Sequence, residues 1–156
     1  SSLELSLGFM IGGVLRGLFV ATGVLVVIFP FLSLFPVNLF TLYFYITMGS
    51  ITFSLMGILV GVFCKKFDQM SAVNNFFIAP LSFLSGTFYS VSKLPGPFDV
   101  ISFFNPVFWL MDGVRFGALG EAESNILLGF LGIISINLIL FLTVWKWFSD
   151  GYFLKD

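Results

Sequence analysis

The sequence contains no histidine and a single cysteine, Cys64, and charged residues occupy only 10% of its 156 positions. Without histidine and with one thiol, the usual zinc, haem and thiol-redox sites cannot be assembled within the chain. The serines have no histidine base to activate them, which excludes the familiar form of nucleophilic catalysis. A single cysteine also excludes an internal disulfide. We therefore predict no catalytic residue and no metal site, and we expect the chain not to be an enzyme.

Several other functional patterns are missing. The eight carboxylates are scattered, with Glu121 and Glu123 in a predicted polar loop, so the sequence offers no paired acid–base site. The phosphate-binding pattern GxxxxGK[ST] does not occur, so the chain alone does not bind ATP by that route. No block of like charge indicates a nucleic-acid surface. Residues 1–8 also lack the basic region of a cleavable signal peptide, and the missing initiator methionine is expected to reflect a truncated start.

Apolar residues dominate instead, at 58% of the chain with 23 phenylalanines. An ionised side chain at the centre of a bilayer costs at least ~2.5–3.5 kcal/mol, so charged residues mark where the chain leaves the membrane. No charge occurs in residues 17–64, 69–92 or 124–145, and each gap exceeds the roughly 20 residues that one crossing needs. The first gap suffices for two crossings, and Pro30 and Pro36 divide it.

We therefore predict an all-α integral membrane protein that forms one domain over residues 1–156. Its four transmembrane helices are predicted near residues 9–33, 39–63, 70–90 and 125–148. The turn CKKFDQMS follows the second span, and the positive-inside rule places its Lys65 and Lys66 in the cytoplasm. Alternation then places the C-terminus in the cytoplasm. The cations expected on or near that side are Arg16, Lys65, Lys66, Lys146 and Lys155, and those expected outside are Lys93 and Arg115.

The stretch FLSGTFYSVSKLPGPF, residues 83–98, interrupts the third span with serine, glycine and proline. On the predicted topology, residues 91–124 are extracytoplasmic and contain ISFFNPVFWLM, an apolar run too short to cross a bilayer. Such runs re-enter the membrane or lie at its surface. Because non-helical backbone at membrane depth needs polar partners, we predict a broken, partly embedded helical cap between the last two spans. Pro95, Pro97 and Pro106 are expected at helix ends.

Two residues of this cap, Asp112 and Arg115, are three apart, which places them on one helix face within ion-pair distance. They either contact a substrate or gate at the outer mouth, or neutralise each other while anchoring an interfacial helix. The nearby aromatic residues either stack on a ligand ring or anchor at the membrane interface. The candidates for a substrate path or gate are Asp112, Arg115, Phe104 and Trp109.

Glycines recur at a spacing of four residues, which lets helix backbones approach closely in lipid. The pattern occurs in GFMIG and GVLRG near the start, and again at Gly57 with Gly61 and at Gly113 with Gly117. The predicted helix-packing glycines are Gly8, Gly12, Gly13 and Gly17.

The order of motifs over residues 67–120 resembles that of the permease subunits of type-2 ABC exporters, the branch that includes nodulation-factor, drug and polysaccharide exporters. The matching features are Phe67-Asp68 after a basic turn, Pro80 within a span, Leu84 to Tyr89 with Leu94-Pro95, Asn105-Pro106, and Asp112-Gly113 with Arg115. GGVLRGLF, residues 12–19, also resembles the family's first span after its cytoplasmic coupling region.

The resemblance implies a multi-pass protein of the cytoplasmic (inner) membrane, with these spans as the last four of six. It implies a homodimer or heterodimer of permeases with two copies of a separate ABC ATPase, which binds ATP and magnesium, so that no cofactor is held by this chain. The implied activity is ATP-driven efflux of a drug, lipid-linked glycan or polysaccharide, in contact with membrane lipid and without nucleic acid. The candidates for the ATPase contact are Lys65, Lys66, Phe67 and Asp68, which otherwise form a solvated turn that sets topology.

Two other functions remain open from the residues. An ion-coupled carrier or channel is expected to place charged or strongly polar groups inside its spans. Asn74, Asn75 and Asn137 are the main exceptions to the apolar pattern, and such residues more often form interhelical hydrogen bonds. A non-transporting membrane scaffold would need only helix-packing glycines.

Overall fold

A computed structural model of the chain describes residues 1–32, 35–64, 66–86 and 104–151. These ranges are helical and contain no strand. The α-helices are α1 Ser2–Leu32, α2 Leu39–Phe63, α3 Phe67–Val73, α4 Ala79–Phe83, α5 Pro106–Leu119 and α6 Ile126–Ser149. One π-helical turn, Asn74–Ile78, lies between α3 and α4. Within the described ranges, α1, α2 and α6 are long and apolar enough to cross a membrane. The protein is therefore an all-α integral membrane protein, as predicted.

The long helices follow the predicted spans closely. α2 has the predicted bounds because Asn38 caps it, with its Oδ1 accepting a hydrogen bond from the Thr41 amide at 3.0 Å. α6 begins and ends one residue later than predicted, and Asn125 caps it in the same way. α1 begins at Ser2 instead of residue 9, because the polar residues near the start continue the helix. Pro30 lies inside its last turn.

Of the three long helices, α2 and α6 run parallel, and α1 runs antiparallel to both. The hydroxyls of Thr22 and Tyr43 lie 3.3 Å apart, and a methyl group at Gly17 would contact Ser50, so α1 and α2 are antiparallel. α6 runs parallel to α2, because the Tyr45 hydroxyl donates to the Ile126 carbonyl at 3.2 Å and, further along both helices, the Thr52 hydroxyl donates to Asn137 Oδ1 at 2.8 Å. We call the two ends of the bundle the Asn38 end and the Cys64 end. The hydroxyls of Ser2 and Ser149 lie 3.0 Å apart at the Cys64 end.

The predicted third span, 70–90, corresponds in its described part to α3, the π-helical turn and α4, which have 7, 5 and 5 residues. Residues 87–90 lie outside the described ranges. Pro80 explains the wider turn, because proline has no amide to donate and its ring clashes with the carbonyl four residues earlier. The Ala79 amide donates instead to the Asn74 carbonyl, five residues back.

α5 lies inside the bundle and reaches to about half its depth. Its last turn is tied to the Asn38 end by the amides of Val37 and Asn38, which donate to the carbonyls of Ala118 and Gly117 at 3.2 and 2.9 Å. Nearer its start, Leu110 packs at 3.6 Å from the position of a methyl group on Gly49, close to the middle of α2. The described part of the predicted cap is therefore a re-entrant helix, begun by Pro106 as expected. Pro95 and Pro97 lie outside the described residues.

The packing of α5 on α2 depends on close backbone approach. A methyl group at Gly113 would overlap the ring of Tyr45, and one at Gly117 would lie 2.7 Å from the Leu42 Cα. Tyr45, Leu110 and Ile133 form a buried cluster that joins α2, α5 and α6. The re-entrant helix is thus packed on two spanning helices.

Arg16 lies away from both ends of α1. From the sequence it is expected on or near the cytoplasmic side although it lies within the first apolar segment, and in the structure the adjacent Gly17 faces Ser50, which lies in the middle of α2. Arg16 is also exposed in the described chain. It therefore counts toward neither side in the positive-inside comparison.

Replacing Gly113 by alanine is expected to lower the free energy of unfolding by about 1–3 kcal/mol, because the added methyl group overlaps the Tyr45 ring and overpacks the α2–α5 contact. The matched control is Gly57→Ala, also within a helix, where nothing lies within 4 Å of the added methyl group. Thermal unfolding in detergent micelles measures both variants. Equal melting temperatures would show that α5 does not pack on α2 in this way.

Candidate functional site

A group of polar and charged residues lies where α5 meets the connection to α6. We call this group the Asp112 cluster: Asp112, Arg115, Glu123, Ser124 and the carbonyl of Gly86. The side chain of Asp112 is 1% exposed, while those of Arg115 and Glu123 are 25% and 21% exposed. The cluster joins α5, the connection that follows it and the turn after α4.

The Asp112 carboxylate holds the connection between α5 and α6. Its Oδ1 accepts a hydrogen bond from the Glu123 amide at 2.8 Å. Its Oδ2 accepts two, from the Ser124 amide at 2.9 Å and the Ser124 hydroxyl at 2.6 Å. A carboxylate accepts such bonds with both oxygens, which satisfies its charge in a buried position. Asp112 therefore fixes the backbone just before α6.

Arg115 ties the turn after α4 to the same place. Its Nη1 donates to Glu123 Oε1 at 2.7 Å, and its Nη2 donates to the Gly86 carbonyl at 2.7 Å. Its distance to Asp112 Oδ1 is 3.9 Å. Asp112 and Arg115 share a helix face, as the spacing predicts, but their shortest hydrogen bonds go to other segments.

This geometry changes how an exchange of the two residues would be interpreted. An arginine at position 112 has no acceptor atom for the amides of Glu123 and Ser124. Exchange of Asp112 and Arg115 would therefore disrupt the connection whether or not the pair contacts a substrate.

A groove of about 320 Å³ lies beside the Asp112 cluster. Phe104 and Trp109 line it together with Ser124, Asn125 and Leu128. Phe104 is largely exposed, and Trp109 packs against Gly132 of α6, where a methyl group would overlap the indole ring. The four predicted path or gating residues are thus gathered around Ser124, and their role remains a prediction.

Asn105 caps the start of α5, the end of this helix that lies near the middle of the bundle. From the sequence, Asn105 was identified only as part of the Asn-Pro motif, and this role was not predicted. Its Oδ1 accepts from the Val107 amide at 2.9 Å and so caps the helix. Its Nδ2 donates to the Leu81 carbonyl at 2.7 Å, near the end of α4. Asn105 is 4% exposed, so both hydrogen bonds form away from water. One side chain therefore satisfies a donor and an acceptor at two helix ends.

Asn137 forms the interhelical hydrogen bonds that the sequence favours for such a residue. Its Oδ1 accepts from the Thr52 hydroxyl at 2.8 Å, and its Nδ2 donates to the Met48 carbonyl at 3.2 Å. These contacts join α2 to α6. Asn74 and Asn75 lie in the π-helical turn and are exposed in the described chain.

The predicted ATPase-contact residues lie at the Cys64 end. Lys66, Phe67 and Asp68 are exposed at the start of α3, and Phe67 is 82% exposed. The Lys66 amide donates to Gln69 Oε1 at 3.3 Å, which closes the first turn. Lys65 lies outside the described residues, and the predicted contact is not tested by the fold.

The four predicted packing glycines differ in their surroundings. Methyl groups at Gly13 and Gly17 would overlap Ser54 and Ser50, so these two glycines lie in the α1–α2 contact. Around Gly8 and Gly12 nothing lies within 4 Å of such a methyl group.

The described ranges hold no group of three or more histidine, cysteine or carboxylate residues that could bind a metal ion. Every buried side-chain nitrogen and oxygen in the same ranges has a hydrogen-bond partner. Within these ranges the Asp112 cluster connects α5, the start of α6 and the turn after α4 through hydrogen bonds.

Comparisons with known proteins agree on one family. The profile of the ABC-2 type transporter family matches residues 1–119. The inner membrane transport permease YadH of Escherichia coli (strain K12) is 35% identical over 154 residues, covering 96% of this chain and 58% of the relative. Nodulation protein J of Rhizobium leguminosarum bv. viciae is 27% identical over 95 residues, covering 61% of this chain and 36% of the relative. No solved structure matches this chain. The chain thus spans little more than half the length of its YadH relatives.

Replacing Asp112 by asparagine is expected to lower the free energy of unfolding by about 2–3 kcal/mol, because a buried carboxylate that accepts three hydrogen bonds is lost. The exposed Asp68 provides the control, and Asp68→Asn is expected to change it by no more than ~0.5 kcal/mol. Reversible unfolding in bicelles measures both. A change at Asp112 as small as that at Asp68 would contradict the described hydrogen bonds.

Proposed function

The chain belongs to the ABC-2 type transporter family. On this premise we propose that it forms part of the membrane-spanning permease of an ATP-binding cassette exporter. It would provide part of the path by which a substrate leaves the cytoplasm. The observation that carries the proposal is the family match over most of the chain, together with relatives named as permeases. A drug, a lipid-linked glycan or a polysaccharide fits this role, and no charged row in the described spans selects among them.

The energy would come from a separate ATPase, because this chain has no phosphate-binding loop. Two copies of that subunit would bind ATP and magnesium and act on a dimer of permeases, identical or different. ATP binding moves the permease only if the nucleotide-bound ATPase prefers one permease conformation over the other. The permease must therefore contact the ATPase at a surface that changes between the two states.

The exposed turn at the Cys64 end fits a contact of this kind. Lys66, Phe67 and Asp68 combine charges of both signs with an apolar ring that is 82% exposed. Such a ring, desolvated in a partner's pocket, contributes strongly to binding. On this proposal the Cys64 end and the C-terminus face the cytoplasm, and Lys66 and Lys146 agree with the positive-inside rule.

The Asp112 cluster fits a gate at the opposite, extracytoplasmic end. It ties α5 to the connection before α6 and, through Arg115, to the turn after α4. Opening a path beside the groove of Phe104 and Trp109 requires these segments to separate, which breaks charge-assisted hydrogen bonds. Each such bond contributes about 1.5–3 kcal/mol, so the nucleotide-bound ATPase would have to favour the open permease by an amount comparable to the bonds that opening breaks.

The first test is assembly with an ATPase. We expect the intact permease to co-purify with an ATPase encoded beside its gene, and we expect the rate of ATP hydrolysis to change when the permease is present. Transport that continues without ATP and stops when the proton gradient is dissipated would contradict the proposal and favour an ion-coupled carrier.

The second test concerns the contact surface. Phe67→Ala is expected to weaken ATPase co-purification by about tenfold or more, since truncating an aromatic anchor costs over ~1.4 kcal/mol. Phe40→Ala is the control, because Phe40 is 83% exposed but lies at the Asn38 end. A pull-down titration measures both. An equal, small effect of the two variants would exclude Phe67 from the contact.

A further inference from the structure

Arg16 is a charged residue at the middle of a membrane-spanning helix. It lies in α1, and its neighbour Gly17 faces Ser50 of α2. Ser50 is near the centre of α2, which runs from Leu39 to Phe63, so about twelve residues separate it from either end. At ~1.5 Å per residue this is roughly 18 Å, more than half of a hydrocarbon core about 30 Å thick. Arg16 therefore lies near the bilayer centre.

Arg16 lines an elongated groove of about 490 Å³ between α1 and α2, which we call the Arg16 groove. Its lining runs from Gly13 to Ala21 on α1 and from Ile46 to Ser54 on α2, roughly 12 Å at ~1.5 Å per residue. Val20 and Phe53 form part of its apolar wall, and both are exposed at the surface of the described chain. The groove is therefore long, largely apolar and open to the outside of the α1–α2 pair.

Among the described residues, Arg16 is the one side chain of the groove whose polar group lacks a partner. The Ser50 hydroxyl donates to the Ile46 carbonyl at 2.8 Å, and the Ser54 hydroxyl donates to the Met10 carbonyl at 3.3 Å. No hydrogen bond or ion pair within the described ranges includes the Arg16 guanidinium. Arginine keeps its charge in proteins, so the groove presents one unpaired cation between apolar walls.

This composition is complementary to an amphiphile with one anionic group. Apolar walls accept a hydrocarbon chain, and a guanidinium binds a phosphate or carboxylate through paired hydrogen bonds. A resident phospholipid does not supply the anion, because its headgroup lies at the membrane interface, about 15 Å from the bilayer centre. An anionic headgroup reaches mid-depth only while the molecule that carries it crosses the bilayer. A cation at that depth lowers the cost of burying the anion.

We propose that the Arg16 groove is a transit site for an exported anionic amphiphile. The guanidinium binds the headgroup at mid-depth while the apolar walls hold the hydrocarbon chain. This inference rests on the proposed exporter function and narrows its substrate to a molecule with a hydrocarbon chain and a phosphate or carboxylate. A drug or a lipid-linked glycan that carries an acidic group meets this requirement, whereas an uncharged polysaccharide does not.

Photolabelling of the intact permease in phosphatidylcholine nanodiscs tests the site. The probes are hexadecyl phosphate and hexadecanol, each with a diazirine beside the headgroup. We expect the phosphate probe to label Val20 and Phe53 at least about tenfold more than the alcohol does, because only the phosphate forms charge-assisted hydrogen bonds with Arg16. Val26 is the control, since it is 66% exposed and does not line the groove, and both probes should label it equally. Equal labelling of the groove by the two probes would overturn the proposal.

Variants of Arg16 then test whether its charge is responsible. Arg16→Gln is expected to lower the phosphate-to-alcohol labelling ratio to about one, while Arg16→Lys, which keeps the charge, should retain a preference of at least about threefold. Because the alcohol probe reports on the groove of the same variant, the ratio separates lost anion binding from misfolding. Lys146→Gln, which removes a cation at the Cys64 end, should leave the ratio unchanged. A ratio that survives Arg16→Gln would contradict the assignment.

A counter-ion supplied by this chain is tested separately. Asp99 and Asp156 are the carboxylate side chains that lie outside the described residues. On the proposal, Asp99→Asn and Asp156→Asn each keep the labelling ratio within about twofold of its original value. A tenfold rise in either variant would show that the removed carboxylate had occupied Arg16, and the transit site would be ruled out.

The same measurement distinguishes a docked helix from a transit site. A helix seated in the groove blocks both probes, so the absence of labelling at Val20 and Phe53 would also refute the proposal. Labelling requires no ATP, and its outcome is independent of the ATPase co-purification that tests the exporter function. ATPase association without selective labelling refutes the transit site alone, whereas selective labelling without ATPase association refutes the exporter function on which the transit site rests.

Discussion

The fold depends on a constraint that lipid imposes: every backbone amide and carbonyl at membrane depth must find a partner within the protein. The three long helices satisfy it internally. α5 does not, because it begins about halfway through the bundle, where the first amides of a helix have no partner four residues earlier, although Pro106 removes one of them. The Asn105 side chain supplies two of the missing partners: it accepts a hydrogen bond from the Val107 amide and donates one to the Leu81 carbonyl. In the connection to α6, the Asp112 carboxylate accepts hydrogen bonds from the amides of Glu123 and Ser124.

These side chains also connect segments that are distant in sequence. Asn105 joins α5 to α4, Arg115 joins α5 to the turn at Gly86, and Asp112 joins α5 to the start of α6. Displacing α5 therefore breaks hydrogen bonds at both of its ends. In the described conformation these hydrogen bonds hold the re-entrant helix, the turn after α4 and the start of α6 together. This arrangement fits a gate whose closed state is held by specific hydrogen bonds and whose opening separates the three segments.

The sequence predicts the apolar framework well and the polar contacts poorly. Gaps between charges, with Pro36 dividing the first gap, locate α2 and α6 to within a residue because these signals are local, and Asn38 and Asn125 cap the two helices in the structure. The re-entrant helix was predicted because its apolar run is too short to cross. The π-helical turn was not predicted, although Pro80, which disfavours the normal helical hydrogen bonds before it, follows shortly after the turn. The spacing of Asp112 and Arg115 indicates a shared face, but their partners Gly86, Glu123 and Ser124 are set by tertiary packing. The position of Arg16 relative to α2 could not be predicted, because the offset between α1 and α2 depends on which residues face each other.

Residue-resolved amide hydrogen exchange in bilayers tests most directly whether Asp112 holds the connection between α5 and α6. The account predicts that the amides of Glu123 and Ser124, which donate to Asp112, exchange at least about tenfold more slowly than those of Glu121 and Ala122. Both pairs lie in the same short connection, so the comparison isolates the hydrogen bonds. Equal, fast exchange of all four amides would contradict the account.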